Sequence, residues 1–169
     1  RIVFASTRQI YGKPQYLPVD EKHPLNPVDV NGINKIAGER YHLLYNQVHE
    51  IRSSVLRLTN TYGPRMRIKD ARQTFLGIWI RNLLQGKPIQ VYGDGQQRRD
   101  YNYVDDLVDA LIIAATESEA IGGVYNLGAH DPISLSETAK VMCHGIKGAS
   151  SNLVPFPKDR KAIDVGDFI

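Results

Sequence analysis

The sequence predicts an α/β fold on a largely parallel sheet, and three observations predict it. Short apolar runs end in polar residues, as in "IVFAST" and "SSVLRLTN", the pattern of buried parallel strands reaching a site. These runs alternate with longer segments whose apolar residues recur at helical spacing. No internal repeat or low-complexity tract competes with that reading.

The elements follow in order. "IVFAST" is a strand. "YGKPQYLPVDEKHPLNPVD" carries prolines at 14, 18, 24 and 27 and can hold no long helix. From Asn31 to about His49, the residues Ile33, Ala37, Tyr41, Leu44 and Val48 predict a helix packed on a sheet, with Asp29 as N-cap. "SSVLRLTNTYGP" is a second buried strand with a Gly-Pro stop. "TFLGIWIRNLLQGKP" is a helix ended by Gly86 and Pro88. "IQVYGDG" is a short strand into a turn. "RRDYNYVDDLVDALIIAATESE" leads into a helix with Val104, Leu107, Val108, Leu111 and Ile112 inward and Asp105 and Asp106 capping it. "GVYNLG" is a further strand. "ISLSETAKVMCHGIKG" is a helix capped by Ser134 or Ser136, with Glu137 in its first turn. The tail, "VPFPKDRKAIDVGDFI", reads as irregular.

Composition narrows the function classes. The 169 residues suffice for one ordinary domain with a core. A net charge of +3, with Lys and Arg dispersed, argues against a nucleic-acid partner despite a pI near 9.0. The single cysteine, Cys143, excludes an internal disulfide and fits a reducing, cytoplasmic setting. It adjoins His144, but neighbouring helical positions face apart, so no metal site is expected. No apolar run approaches the roughly 18 residues of a membrane span, and no signal peptide is expected. A domain seldom starts in mid-strand, so the chain is expected to be a piece of something longer.

Two strand ends are rich in polar residues, "STRQIYG" and "TNTYGPR", and sites in open α/β sheets form where strands' carboxyl ends meet loops. With "NGINKIAGE", "LRLTNTYGPR", "VYGDGQQRRDYNYVDDLVDAL" and "VYNLG" following in order, the chain resembles the extended short-chain dehydrogenase/reductases, the NAD-dependent epimerase/dehydratase family of UDP-glucose 4-epimerase type. "ASTRQIYG" matches that family's Ser-Ser/Thr-x-x-Val-Tyr-Gly strand end and "NGINK" its Tyr-x-x-x-Lys helix.

The resemblance implies a Rossmann-like parallel sheet, part of a small C-terminal substrate-binding subdomain, and transient 4-keto chemistry on a nucleotide sugar with NAD. By position Thr7 is the hydroxyl that bonds the sugar oxygen, Lys35 the cation on the nicotinamide ribose, and Thr7 and Thr59 neighbours of the cofactor. Asn60 would hold the phosphate region, Arg99 the pyrophosphate, Phe75 and Leu76 the nucleobase pocket, Tyr101 the substrate, and Lys161 or Arg160 a late phosphate contact. Asn31 stands where the family has its tyrosine. A phenol near pKa 10 becomes a useful base only beside a cation, whereas an amide cannot take a proton at all. Three readings stay open. Tyr11 could serve as base instead, the chain could bind nucleotide sugar without redox chemistry, or the mechanism could run slowly with Asn31 orienting substrate and water. Locally, Asn31 could simply cap its helix. The 4,6-dehydratases resemble "TDEVYG" at the first strand end; here Arg8 and Gln9 occupy the acid pair, so water elimination is disfavoured.

The family's Gly-x-x-Gly-x-x-Gly fingerprint does not occur in these residues. The expected organisation is therefore the second half of a Rossmann-type domain with the catalytic motifs at 1–63. Residues 64–169 hold a mixed remainder of substrate-binding subdomain and returning Rossmann elements, from a chain of roughly 300 residues. Alone it is expected to bind NAD weakly and to be inactive, and its exposed sheet edge to favour a homodimer.

Overall fold

The computed structural model describes residues 1–69, 74–161 and 164–169. Its elements begin with β1 (Ile2–Thr7), α1 (Val30–His49), β2 (Ser53–Leu58), β3 (Asn60–Tyr62), α2 (Phe75–Leu84) and β4 (Ile89–Tyr92). There follow β5 (Arg98–Arg99), β6 (Tyr101–Tyr103), α3 (Val104–Thr116), β7 (Val124–Leu127), β8 (Ile133–Ser134), α4 (Leu135–Cys143), β9 (Ser151–Val154) and α5 (Lys158–Lys161). The main sheet runs β1-β2-β7, all parallel; β3-β6 and β4-β9 are parallel pairs and β5-β8 an antiparallel one. This is the expected α/β architecture.

β2 is the central strand, and its first five residues are buried. Successive side chains point to opposite faces, and the hydrogen bonds follow suit. Ser53 Oγ donates to the His42 carbonyl of α1 at 2.7 Å, and Ser54 Oγ to the Ala120 carbonyl after α3 at 2.6 Å. Helices thus cover both faces. A second apolar cluster joins Trp79, Ile89, Val91 and Ala139, from α2, β4 and α4. No helix among the described residues is long and apolar enough to cross a membrane.

The caps follow sequence chemistry. Asp29 accepts from the Gly32 amide at 2.7 Å, and Ser134 with Glu137 forms a reciprocal capping box on α4. α2 starts at the Thr74 cap and stops before Gly86, which takes φ +66°.

Three expectations are corrected. On α1, Ile33, Ala37, Tyr41, Leu44 and Val48 lie outward and exposed. The sheet side instead carries Gly32, Gly38, Glu39 and His42, because buried Glu39 meets Arg57 of β2 and the His42 ring sits 4.7 Å from Phe4. On α3, Val108 and Ile112 are exposed, and the N-cap is Tyr103; Asp105 and Asp106 occupy the first turn, where the helix dipole favours them. The tail is also more ordered than expected. It contributes the last residue of β9 and all of α5, and Phe168 is 3% exposed in a cluster with Ile10 and Tyr11.

Candidate functional site

Parallel pairing sets the strands' ends level: Thr7 lies beside Leu58, and Leu58 beside Leu127. Beyond that line opens a cleft of about 380 Å³, walled by Thr7, Gln9, Thr59, Asn60, Phe75 and Leu76. Of the eleven residues that line it, sequence reasoning named Thr7, Thr59, Asn60, Phe75 and Leu76. It placed Gln9 at the strand end only as a residue unable to act as acid or base.

Gln9 proves to be the hub. After Thr7 the chain turns through a 3-10 segment, Arg8–Tyr11. Gln9 Oε1 accepts from the Asn31 amide and, at 3.4 Å, from the Thr7 hydroxyl. Its Nε2 donates to Asp29 Oδ2 at 2.7 Å. Asp29 therefore caps the helix with one oxygen and orients Gln9 with the other. Gly32 permits this approach: a Cβ there would lie 2.6 Å from the Gln9 carbonyl oxygen and 2.7 Å from Pro27 Cβ. Asn31 itself is exposed in the first turn and is not the cap.

Lys35 stands next door. Its ammonium donates to the Ala5 carbonyl at 2.6 Å and lies 5.0 Å from the Phe4 ring centroid. Ala5 precedes Thr7 by two residues on β1, roughly 6–7 Å along the strand. The hydroxyl, the amide and the ammonium thus gather at one end of the sheet.

Tyr11 lies elsewhere. It is 1% exposed, its hydroxyl donates to Asn126 Oδ1 at 2.6 Å and accepts from Arg57 Nη1 at 2.7 Å. Burial pushes its pKa up, although Arg57 opposes this; a base needs the opposite shift. Arg57 in turn grips Glu39 through two bonds of 3.1 and 2.8 Å. Burial alone would lower its pKa, but the Glu39 carboxylate more than offsets that and holds it above the ordinary value.

The remaining candidates divide. Asn60 Nδ2 donates to the Asp100 carbonyl at 2.9 Å, and Thr59 Oγ1 accepts from Asn102 at 2.8 Å, so both cleft residues are held from β6 and its lead-in. Phe75 packs edge-on against Trp79 at 5.0 Å and serves wall and core together. Tyr101 faces a neighbouring cavity of about 850 Å³, its hydroxyl 2.8 Å from Thr138 Oγ1. Arg99 is buried and committed to the C-terminal segment, with 2.5 Å to the Gly166 carbonyl and 3.8 Å to Asp164. Lys161 is exposed at the end of α5, outside the cleft walls. The Arg160 side chain lies outside the described residues. Among the described residues no group of three His, Cys, Asp or Glu side chains could hold a metal ion. Chemically, Thr7, Gln9, Asn31, Thr59 and Asn60 offer hydrogen bonds to a polyhydroxylated ligand, and none of them can take a proton near neutral pH.

Comparison with known proteins gives concordant matches. The family model described as "NAD dependent epimerase/dehydratase family" matches residues 1–128. A putative UDP-glucose 4-epimerase of Methanocaldococcus jannaschii is 37% identical over 147 residues, covering 86% of this chain and 47% of that protein. UDP-glucuronic acid decarboxylase 4 of Arabidopsis thaliana is 33% identical over 147 residues, covering 84% of this chain and 32% of that protein. Among solved structures, UDP-glucuronic acid 4-epimerase from Bacillus cereus, in complex with UDP-glucuronic acid and NAD, superposes with a TM-score of 0.75 at 29% identity, covering 90% of this chain and 48% of that one. The chain thus spans about half the length of the first curated relative and about a third of the second.

Proposed function

The chain belongs to the NAD dependent epimerase/dehydratase family, and from that premise we propose that it works in nucleotide-sugar epimerisation, on a UDP-hexose at C4 through a transient 4-keto sugar. The observation that carries this reading is the cleft at the carboxyl ends of β1 and β2, where Thr7, Thr59 and Asn60 present hydroxyls and an amide to one space. In this reading the Thr7 hydroxyl bonds the sugar oxygen, Asn60 holds the diphosphate, and Phe75 and Leu76 receive the base.

NAD is the cofactor of this reading. The Lys35 ammonium uses one donor on Ala5 and retains others for a ribose diol, a donor set that suits the nicotinamide-ribose end. Bound there, NAD supplies hydride acceptance and return at the sugar carbon. The residues of this chain bind and orient: Asn31 and Gln9 fix the hydroxyl geometry around Thr7, and Lys35 contributes positive charge beside it. What they lack is a base, since Asn31 replaces an ionisable phenol. The sugar proton then leaves to a water held by the Asn31 amide, at a rate far below that of a tyrosinate.

A second reading is a non-catalytic nucleotide-sugar binding module, in which the isolated 169 residues turn nothing over. The closed Asn31–Gln9–Asp29 hydrogen-bond network favours it. Assay of the protein with UDP-glucose and NAD, beside Asn31→Tyr, separates the two. Turnover by the native protein supports the enzyme; activity confined to Asn31→Tyr supports the module. The exposed apolar stripe of α1, including Tyr41, Leu44 and Val48, supports a homodimer built on that helix.

A further inference from the structure

Behind the cleft lies a second cavity, of about 600 Å³, and Arg8 and Thr59 belong to the walls of both. Its other cations are already engaged: Arg57 holds Glu39, and Arg98 donates to the Pro132 carbonyl at 3.1 Å. Arg8 is not. Among the described residues its guanidinium makes no hydrogen bond or ion pair, and it lies 4.9 Å from the Phe168 ring centroid. Burial and the nearby Arg99 push its pKa down to about 10. Arg8 is half-buried, and its guanidinium offers five donors toward the cavity it lines.

The same cavity holds a complementary orphan. Asp100 is 3% exposed, and its Oδ1 has no partner. Burial raises its pKa, with the Thr59 hydroxyl and the Ala129 amide opposing this. Asp100 and Arg8 attract but do not meet within ion-pair distance. The cavity therefore asks for a ligand that accepts at Arg8 and donates at Asp100. A diphosphate accepts only and has nothing to donate to Asp100. A sugar acid does both, with a carboxylate suited to the guanidinium fork and hydroxyls to donate.

We propose that this cavity recognises an acidic sugar: Arg8 takes the ring carboxylate, Asp100 takes a hydroxyl of the same ring, and UDP-hexuronates are the preferred substrate class. The inference rests on the nucleotide-sugar reading above and extends it. Position agrees. Arg8 directly follows Thr7, and in a hexuronate the carboxyl is carried on C5, beside the C4 whose hydroxyl Thr7 holds in that reading. Arg8 is thus a specificity residue for the sugar.

Titration calorimetry with UDP, UDP-glucose and UDP-glucuronate, on the native protein, Arg8→Gln and Arg8→Lys, tests this. The native protein is expected to prefer UDP-glucuronate over UDP-glucose by about tenfold or more, the size of a charge-assisted bond. Arg8→Gln should bring that ratio to about one, and Arg8→Lys should keep part of it, with circular dichroism checking that each variant is folded. A native ratio near one overturns the inference. So does an Arg8→Gln variant that weakens UDP, UDP-glucose and UDP-glucuronate by a common factor, which would assign Arg8 to the diphosphate. Should a variant fail to fold, the native ratio and the remaining variant still decide. Failure of all three compounds to bind would overturn the nucleotide-sugar reading itself, and this inference with it.

Discussion

Replacing Glu39 by Gln removes one charge from a pair that holds α1 against the strands that carry the site. Glu39 is 2% and Arg57 6% exposed. Two bonds join them directly, Ser6 donates to the same carboxylate, and Arg57 continues to Tyr11 and so to Asn126 of β7. One substitution therefore leaves a buried guanidinium uncompensated. Breaking such a pair costs about 3–5 kcal/mol, which for a chain of this size lowers Tm by about 6–20 °C. Urea denaturation followed by far-ultraviolet circular dichroism reads the loss as a shift in midpoint. A Glu39→Met, Arg57→Met double variant should recover at least half of it, because replacing the whole pair by apolar side chains is often neutral. A Glu39→Gln loss below about 1 kcal/mol, with no recovery in the double variant, would refute the claim that the pair is buried and coupled.

Other perturbations test other parts. Gly32→Ala should cost about 1–3 kcal/mol in thermal unfolding, because its Cβ would meet the Gln9 carbonyl. Asp29→Ala should cost about 1 kcal/mol from the lost cap and should also release Gln9; an unchanged Tm would count against both contacts. The Ser134 backbone N–H and hydroxyl hold the Glu137 carboxyl below its ordinary pKa. The stability it adds is therefore present above its unfolded pKa of about 4.3 and lost as pH falls through the lower folded value. The native-minus-Glu137→Gln stability difference should shrink in acid, and a flat difference would contradict the capping box. Leu44→Glu on the exposed stripe of α1 should convert a sedimenting dimer to monomer; a native monomer would remove the homodimer reading.

The order of the longer elements was legible because strand runs and helix periods are local signals, and so was the Asp29 cap, which acts within one turn. The inward face of α1 was not. A period search seeks apolar residues, and the buried positions there include Glu39, whose burial makes sense only beside Arg57, 18 residues on in another strand. The two-residue strands β5 and β8 escaped for a similar reason: they exist through pairing between distant segments, not through propensity. At the site, the family resemblance pointed to Thr7, Lys35, Thr59 and Asn60. It could not show that Arg99 turns toward the C-terminal segment while its neighbour in space, Arg8, is left without a partner, because that depends on where the last residues pack.

The central claim is that a diphosphate-linked sugar lies across the ends of β1 and β2. A crystal structure of the protein with UDP-glucose tests it most directly. The account predicts the sugar within hydrogen-bonding distance of the Thr7 hydroxyl and the diphosphate at Asn60. Density for the nucleotide in the cavity beside Tyr62 and Tyr101, with Thr7 untouched, would contradict it.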